Sequence, residues 1–289
     1  MSNFNRRDFL KITGLAIGGS LLCNQTAQAE TPPGNLDEAF AMMYDSTKCV
    51  GCNACTNACR SWNGTEDVTD VRGYYDAPYE LDSDTWTMIQ MYKEDNENYA
   101  FVKRQCMHCI DPGCVSGCPV SALEKTPEGP VVYNADRCIG CRYCQYTCPF
   151  HIPRFEWDER LPVVAKCTFC NDRLAVGDGP ACAEICPTGA MSWGKRGDLL
   201  AEAEERLKNG GDRYINHIYG KDDAGGTSVL YLSAVPFEKL GLENLGSEPI
   251  PKLSEETGEI LLPAITFGGP IALAAIWAVS KRGGWENGG

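Results

Sequence analysis

Histidine is scarce: the chain holds three in 289 residues, His108, His151 and His217. No Ser/His/Asp set, P-loop or dinucleotide fingerprint accompanies them. Gly210-Gly211 and Gly225-Gly226 lack the strand-to-helix context that phosphate binding needs. No catalytic centre is indicated, so the chain is not expected to be an enzyme on its own. Positive charge is also in short supply, with 26 Lys and Arg against 39 Asp and Glu. Residues 1–29 sum to +2 and the rest of the chain to −15, for −13 overall, and no basic stripe occurs. Nucleic-acid binding depends on a basic footprint, so no nucleic-acid partner is expected. A hydrophobic share of 43% with 22% charged residues excludes wholesale disorder, and the length suits about two domains. What the chain has in abundance is cysteine, 17 in all.

Both ends carry membrane-related signals. Asn5-Arg6-Arg7-Asp8-Phe9-Leu10-Lys11 is followed by an apolar stretch from Ile12 to Leu22 and by Ala27-Gln28-Ala29. A positive start, a modest apolar core and an A-x-A site make a cleavable signal, expected to end at Ala29. The Arg-Arg-x-Phe-Leu-Lys core resembles a twin-arginine signal, which exports folded proteins. Cys23 falls inside this segment, and Leu22 stands before it where a lipoprotein would carry a small residue, so Cys23 is expected to leave with the signal. At the other end, residues 260–280 are uncharged for 21 residues, close to the ~20 needed to span a bilayer. Lys281-Arg282 follow and Glu255, Glu256 and Glu259 precede, which puts the C-terminus in the cytoplasm and residues 30–259 outside. The alternative is a buried core helix. Pro263, Gly268, Gly269 and Pro270 weaken a lone spanning helix, so a membrane partner is implied.

Without Cys23, sixteen cysteines remain in four quartets. Cys49, Cys52, Cys55 and Cys59 are spaced C-x2-C-x2-C-x3-C, and Cys138, Cys141, Cys144 and Cys148 repeat that spacing. Cys106, Cys109, Cys114 and Cys118 differ by two extra residues, and Cys167, Cys170, Cys182 and Cys186 by a longer loop before the third Cys. Pro119, Pro149 and Pro187 follow three of the quartets. Four near-copies do not make a disulfide framework, and structural zinc uses two separated pairs. Three thiols within seven residues and a fourth four positions later suit a 4Fe–4S cluster, in the bacterial ferredoxin pattern whose fourth Cys ligates the other cluster of a pair. Sixteen ligands make four such clusters. Quartets two and three are adjacent, giving Cys106, Cys109, Cys114 with Cys148, and Cys138, Cys141, Cys144 with Cys118. By elimination Cys49, Cys52, Cys55 pair with Cys186, and Cys167, Cys170, Cys182 with Cys59. One ferredoxin-like module is then nested inside another.

With its sixteen ligands complete, the chain resembles, over about residues 40–195, the four-cluster ferredoxin-type electron-transfer subunits of bacterial membrane-bound oxidoreductases. The resemblance implies an α+β fold of two nested modules plus one C-terminal transmembrane helix. The expected organisation is signal 1–29, an outer module 30–66 with 160–197, and an inner module 67–159 carrying an acidic hairpin. A helix, strand and connector follow over 198–259, then the span 260–280. A wire without a catalytic site takes its function from its neighbours. The twin-arginine motif, the anchor and Gly225-Gly226-Thr227-Ser228-Val229-Leu230-Tyr231-Leu232 resemble the HybA-type subunits of periplasm-facing nickel–iron hydrogenases. That implies two partners, a periplasmic hydrogenase's catalytic subunit or subunits and a quinone-reactive integral membrane subunit. Two alternatives stay open: the iron–sulfur beta subunit of a molybdopterin enzyme of the formate dehydrogenase, polysulfide or dimethyl sulfoxide reductase type, and a standalone membrane-tethered redox protein.

Cations flank the ligands: Lys48, Arg137 and Lys166 directly precede a first Cys, and Lys103 and Arg104 lie just upstream of Cys106. Nearby positive charge raises a cluster's reduction potential. His108 is placed to hydrogen-bond a sulfur, while His151 and His217 are assigned to structure. Tyr143, Tyr146 and Phe150 are expected to keep water off the clusters. Alternation over Thr85–Tyr92 and Tyr99–Arg104 predicts a hairpin, and Val131–Tyr133, Met191–Trp193 and Ser228–Ser233 read as strands. Asp198 is expected to cap a helix running through Lys208.

Overall fold

The computed structural model describes residues 35–65, 80–94, 99–157 and 163–282. The proposed signal segment with Cys23, and parts of the acidic insertion, lie outside the described residues. Helix and strand are mixed throughout.

The organising element is a three-stranded sheet in the order β8-β1-β9, with β1 Phe40–Asp45, β8 Met191–Lys195 and β9 Val229–Leu232. β1 runs antiparallel to β8, pairing Met42 with Trp193 and Tyr44 with Met191. It runs parallel to β9, pairing Met42 with Val229 and Tyr44 with Tyr231. Side chains alternate across a strand. One face of the sheet therefore carries Met42, Tyr44, Met191, Val229 and Tyr231, which pack with Cys55, Phe101, Phe169 and Cys182. The other carries Ala41, Met43, Leu230 and Leu232, roofed by Leu199 and Ala203 of the helix Arg196–Gly210. Burial on both faces explains why the strand reads Phe-Ala-Met-Met-Tyr with no polar alternation.

That helix presents Leu199, Ala203 and Leu207 at four-residue spacing, a single apolar stripe. It begins two residues before Asp198, with Lys195 at the cap and no side-chain cap hydrogen bond. The expected Asp198 cap is thus not formed. Asp198 lies instead in the first turn, where the positive end of the helix favours a carboxylate. Arg196 anchors the start, its guanidinium donating to the carbonyls of Thr227 at 3.1 Å and Lys221 at 2.9 Å.

The predicted hairpin is present as β2 Met88–Lys93 and β3 Tyr99–Arg104, paired antiparallel from Met88↔Arg104 to Lys93↔Tyr99. Two tyrosines of the sheet hold β3 from behind: Tyr44 Oη donates to the Phe101 carbonyl and Tyr231 Oη to the Lys103 carbonyl, each at 2.8 Å. Two small hairpins, β4 Leu123–Lys125 with β5 Val131–Tyr133 and β6 Arg154–Phe155 with β7 Val164–Ala165, surround a second core of Leu123, Val131, Phe155, Val164, Cys114 and Cys144.

The described residues end in the helices Lys252–Pro263 and Gly269–Arg282, joined by a π-turn over Ala264–Gly268. Helix starts at Lys252, earlier than the expected connector allows, because Lys252-Leu253-Ser254-Glu255-Glu256 has good helix formers and no breaker before Gly258. Among the described residues, Lys252–Ala278 is the one helix long and apolar enough to cross a membrane, and none of its apolar window is buried in the protein.

Candidate metal centre

Each quartet opens with a C-x-x-C turn, and the third residue of that turn is left-handed in all four: Gly51 (φ 69°), His108 (φ 47°), Gly140 (φ 68°) and Phe169 (φ 62°). An L side chain pays about 1–2 kcal/mol for this conformation, so His108 and Phe169 hold it only because their surroundings enforce it. The turn aims backbone N–H groups at sulfur. Gly51 N donates to Cys49 Sγ at 3.5 Å, Gly140 N to Cys138 Sγ at 3.4 Å and Phe169 N to Cys167 Sγ at 3.4 Å. Such bonds favour the thiolate over the thiol. In every quartet the third Cys then sits on a short helix: Cys55 in Ala54–Asn63, Cys114 in Gly113–Ser116, Cys144 in Tyr143–Thr147 and Cys182 in Ala181–Glu184.

The thiols gather in four places. A small cavity is lined by Cys167, Cys170, Cys182 and, from the first quartet, Cys59. Another is lined by Cys138, Cys141, Cys144 and, from the second quartet, Cys118. Cys109 has Cys148, Cys114 and Cys106 as its repelling neighbours, and Cys49 has Cys186 and Cys52. Burial, then neighbouring thiols, push the Cys59 and Cys144 thiols up to about 12. Burial likewise raises Cys148 to about 11, and Cys109, Cys114 and Cys167 move the same way. Acidic groups forced together in a dry interior call for a multivalent cation. Among the described residues, no three His, Cys, Asp or Glu converge on a single metal ion. One zinc would require sulfurs about 2.3 Å from a common point. Thiols standing around a cavity suit a larger metal–sulfide body.

Two orphan donors fit the same body. His108 is fully buried; its Nδ1 accepts from Val131 N at 2.9 Å, so the ring proton sits on Nε2, which has no partner. Gln105 Nε2 is likewise buried and unpartnered, on a side chain that lines the Cys59 cavity. Buried polar atoms are rarely left unpaired, and sulfide or thiolate sulfur would accept from both.

Of the flanking cations, only Lys103 and Lys166 are buried. Lys48 is half-buried, Arg137 is exposed and donates to the Ser121 carbonyl at 3.3 Å, and Arg104 donates to the Gly241 carbonyl at 2.7 Å. A third buried cation, Lys125, was not anticipated; it donates to the carbonyls of His108 at 3.1 Å and Gly129. Its signal was Leu123-Glu124-Lys125, a short strand alternating inward and outward. Tyr143 and Tyr146 do not shield the clusters: they are 59% and 84% exposed, because their helix turns Cys144 inward. Phe150 does pack inside, beside Cys106, Cys148 and Cys167. His151 is exposed, and His217 Nε2 lies 3.0 Å from Asp223 Oδ2.

A fold that folds cysteine loops around sulfur-lined cavities defines an iron–sulfur protein, and residues 97–196 match the family model described as a 4Fe–4S dicluster domain. The chain is 36% identical to the hydrogenase-2 operon protein HybA of Escherichia coli O157:H7, over 98% of this chain and 96% of that protein. It is 38% identical to a protein of Nitratidesulfovibrio vulgaris over 96% of this chain and 77% of that one. It is also 38% identical to the iron–sulfur subunit of the nitrate-inducible formate dehydrogenase of Escherichia coli K12, over 70% and 71%. The chain belongs to the HybA family, within the broader group that includes formate dehydrogenase iron–sulfur subunits. It carries 4Fe–4S clusters and is an electron-transfer subunit of an oxidoreductase complex.

Proposed function

We propose that this chain holds four 4Fe–4S clusters and carries electrons between a periplasmic nickel–iron hydrogenase and a quinone-reactive membrane subunit. The ligand sets are Cys49, Cys52, Cys55, Cys186; Cys167, Cys170, Cys182, Cys59; Cys106, Cys109, Cys114, Cys148; and Cys138, Cys141, Cys144, Cys118. The observation that carries this reading is the crossing of the fourth Cys, Cys59 lining the cavity of Cys167, Cys170 and Cys182, and Cys118 that of Cys138, Cys141 and Cys144. Packing supports two nested modules over the expected boundaries: the helix Ala54–Asn63 lies on Ala181–Glu184, and Gly113–Ser116 on Tyr143–Thr147. Bound clusters supply one-electron storage; the chain's own residues hold sulfur, exclude water and set the local field.

For the partner, the alignment with HybA runs over nearly the whole chain, while that with the formate dehydrogenase subunit stops at 70% of it. The twin-arginine motif of residues 6–11 favours export through its own signal, and Lys252–Ala278 supplies an anchor of sufficient length. The C-terminal basic pair supports a periplasmic position for the soluble part. The 38% identity to formate dehydrogenase subunits keeps the molybdopterin branch as the second reading.

Low-temperature EPR on detergent-solubilised native membranes decides between them. Cluster reduction under hydrogen, lost when this chain is deleted, is the expected result. Reduction by formate alone would transfer the chain to the molybdopterin branch, and no response to either would refute both partner assignments.

A further inference from the structure

Lys103 is fully buried in β3, and no carboxylate among the described residues forms an ion pair with it. A buried ammonium without a counter-charge is too costly to leave uncompensated. Its Nζ donates to Thr87 Oγ1 and Gln105 Oε1, both neutral. The ionisable groups that favour its charge are the neighbouring thiols, Cys182 and Cys167 of the Cys59 cavity with Cys55 of the first quartet, and then Tyr231. Gln105, held by its oxygen, is left with a buried Nε2 that has no partner. Thr87 and Gln105 both line the cavity of Cys59, Cys167, Cys170 and Cys182. Lys103 and Gln105 are two residues apart on an extended segment and so share a face. The Tyr231 hydroxyl on the Lys103 carbonyl fixes that face from behind. The other buried lysines differ: Lys125 and Lys166 both donate to backbone carbonyls, Lys166 to those of Val131 and Cys167.

We propose that Lys103 and Gln105 form a fixed counter-charge and hydrogen-bond unit for the cluster of that cavity, raising its reduction potential above what four buried thiolates alone would set. The proposal rests on the ligation by Cys59, Cys167, Cys170 and Cys182 given above. Each one-electron reduction adds one negative charge to a cluster, so a fixed cation nearby stabilises the reduced form. An amide N–H donated to sulfur acts in the same direction. Lys103 supplies the charge and, by gripping Gln105 Oε1, fixes the amide whose buried N–H groups are left to donate to sulfur. Both are positioning residues; neither is a ligand.

The test is an anaerobic EPR-monitored redox titration, with iron analysis, on the detergent-solubilised complex carrying Lys103→Met or Gln105→Leu. A Cys59→Ser complex identifies which signal belongs to this cavity. The expected result is unchanged iron and a shift to lower potential in Lys103→Met that is larger in that signal than in any other. The reduced-to-oxidised ratio at fixed potential should fall about tenfold, about 59 mV for a one-electron couple. Gln105→Leu should move the same signal the same way by less. Intact iron with that signal unmoved, or an equal shift in every signal, overturns the proposal. If Lys103→Met loses iron, Gln105→Leu decides alone, and no shift there overturns it. Iron for fewer than four clusters in the unaltered complex, or loss of a different signal in Cys59→Ser, refutes the ligation scheme and the proposal with it.

Discussion

Gly51 separates two physical costs that usually arrive together. It sits at φ +69°, and a Cβ added there would lie 2.4 Å from the Phe101 ring, with two more ring atoms within 2.8 Å. Gly64 has nearly the same backbone, φ +64°, but nothing within 4 Å. Gly64→Ala should therefore cost only the left-handed penalty, about 1–2 kcal/mol. Gly51→Ala adds overpacking against a ring that cannot retreat, because Phe101 is buried in the main core between β3 and the sheet. Overpacking of this kind costs about 1–3 kcal/mol more. At about 2–4 °C per kcal/mol for a chain of this size, Gly51→Ala should melt roughly 2–12 °C below Gly64→Ala. Displacing the loop also moves the Gly51 N–H off Cys49 Sγ, so iron at the proposed set of Cys49, Cys52 and Cys55 should be the first lost on heating. Anaerobic thermal denaturation with parallel iron release measures both effects. Equal melting of the two variants would refute the packing argument.

Under the proposed crossed ligation, Cys59→Ser should damage the cluster assigned to Cys167, Cys170 and Cys182 and spare the one assigned to Cys49, Cys52 and Cys55. Selective loss of the latter in EPR would sink the crossed assignment. Cluster loading should release protons, because burial raises the free thiols well above neutral pH, Cys59 and Cys144 to about 12 and Cys55 and Cys148 to about 11. The apo protein binds those protons and the loaded protein does not. Iron and sulfide uptake by the apo chain should therefore strengthen from pH 7 to pH 9; uptake independent of pH would contradict the raised thiols.

What could be read from the sequence follows from how strongly each feature is patterned. The hairpin of β2 and β3, and the strands β5, β8 and β9, are visible as alternation or as short apolar runs between turns. β1 is not, because Ala41 and Met43 face one apolar layer while Met42 and Tyr44 face another, erasing the two-residue period. The sixteen cysteines are legible because their spacing repeats. Their surroundings are less so. Gly51 and Gly140 hint at left-handed turns, but the same conformation at His108 and Phe169 is imposed by tertiary packing and leaves no mark in residue type. Charge near the thiols is only partly legible: adjacency in sequence marks Lys103 and Lys166, which are buried, together with Lys48, Arg104 and Arg137, which are not, and it passes over the buried Lys125, because burial, which sets the strength of a field, is not written in spacing.

The sheet that backs the cysteine loops also imposes an order on synthesis. β1 lies just before the first cysteine quartet, β8 just after the last, and β9 thirty-four residues further on between Val229 and Leu232. Because β1 sits between the other two, its parallel edge stays open until the ribosome has released Leu232. Pairing across so long a stretch of chain is slow. Until then Tyr231 is absent, β3 lacks one of its two anchors, and the first and last quartets have no rigid wall to hold them in register. The cysteines of the first and last quartets thus leave the ribosome before the third strand of the sheet behind them. A growing chain stalled short of the third strand therefore holds its two inner quartets in their own core while the outer two still lack a complete wall.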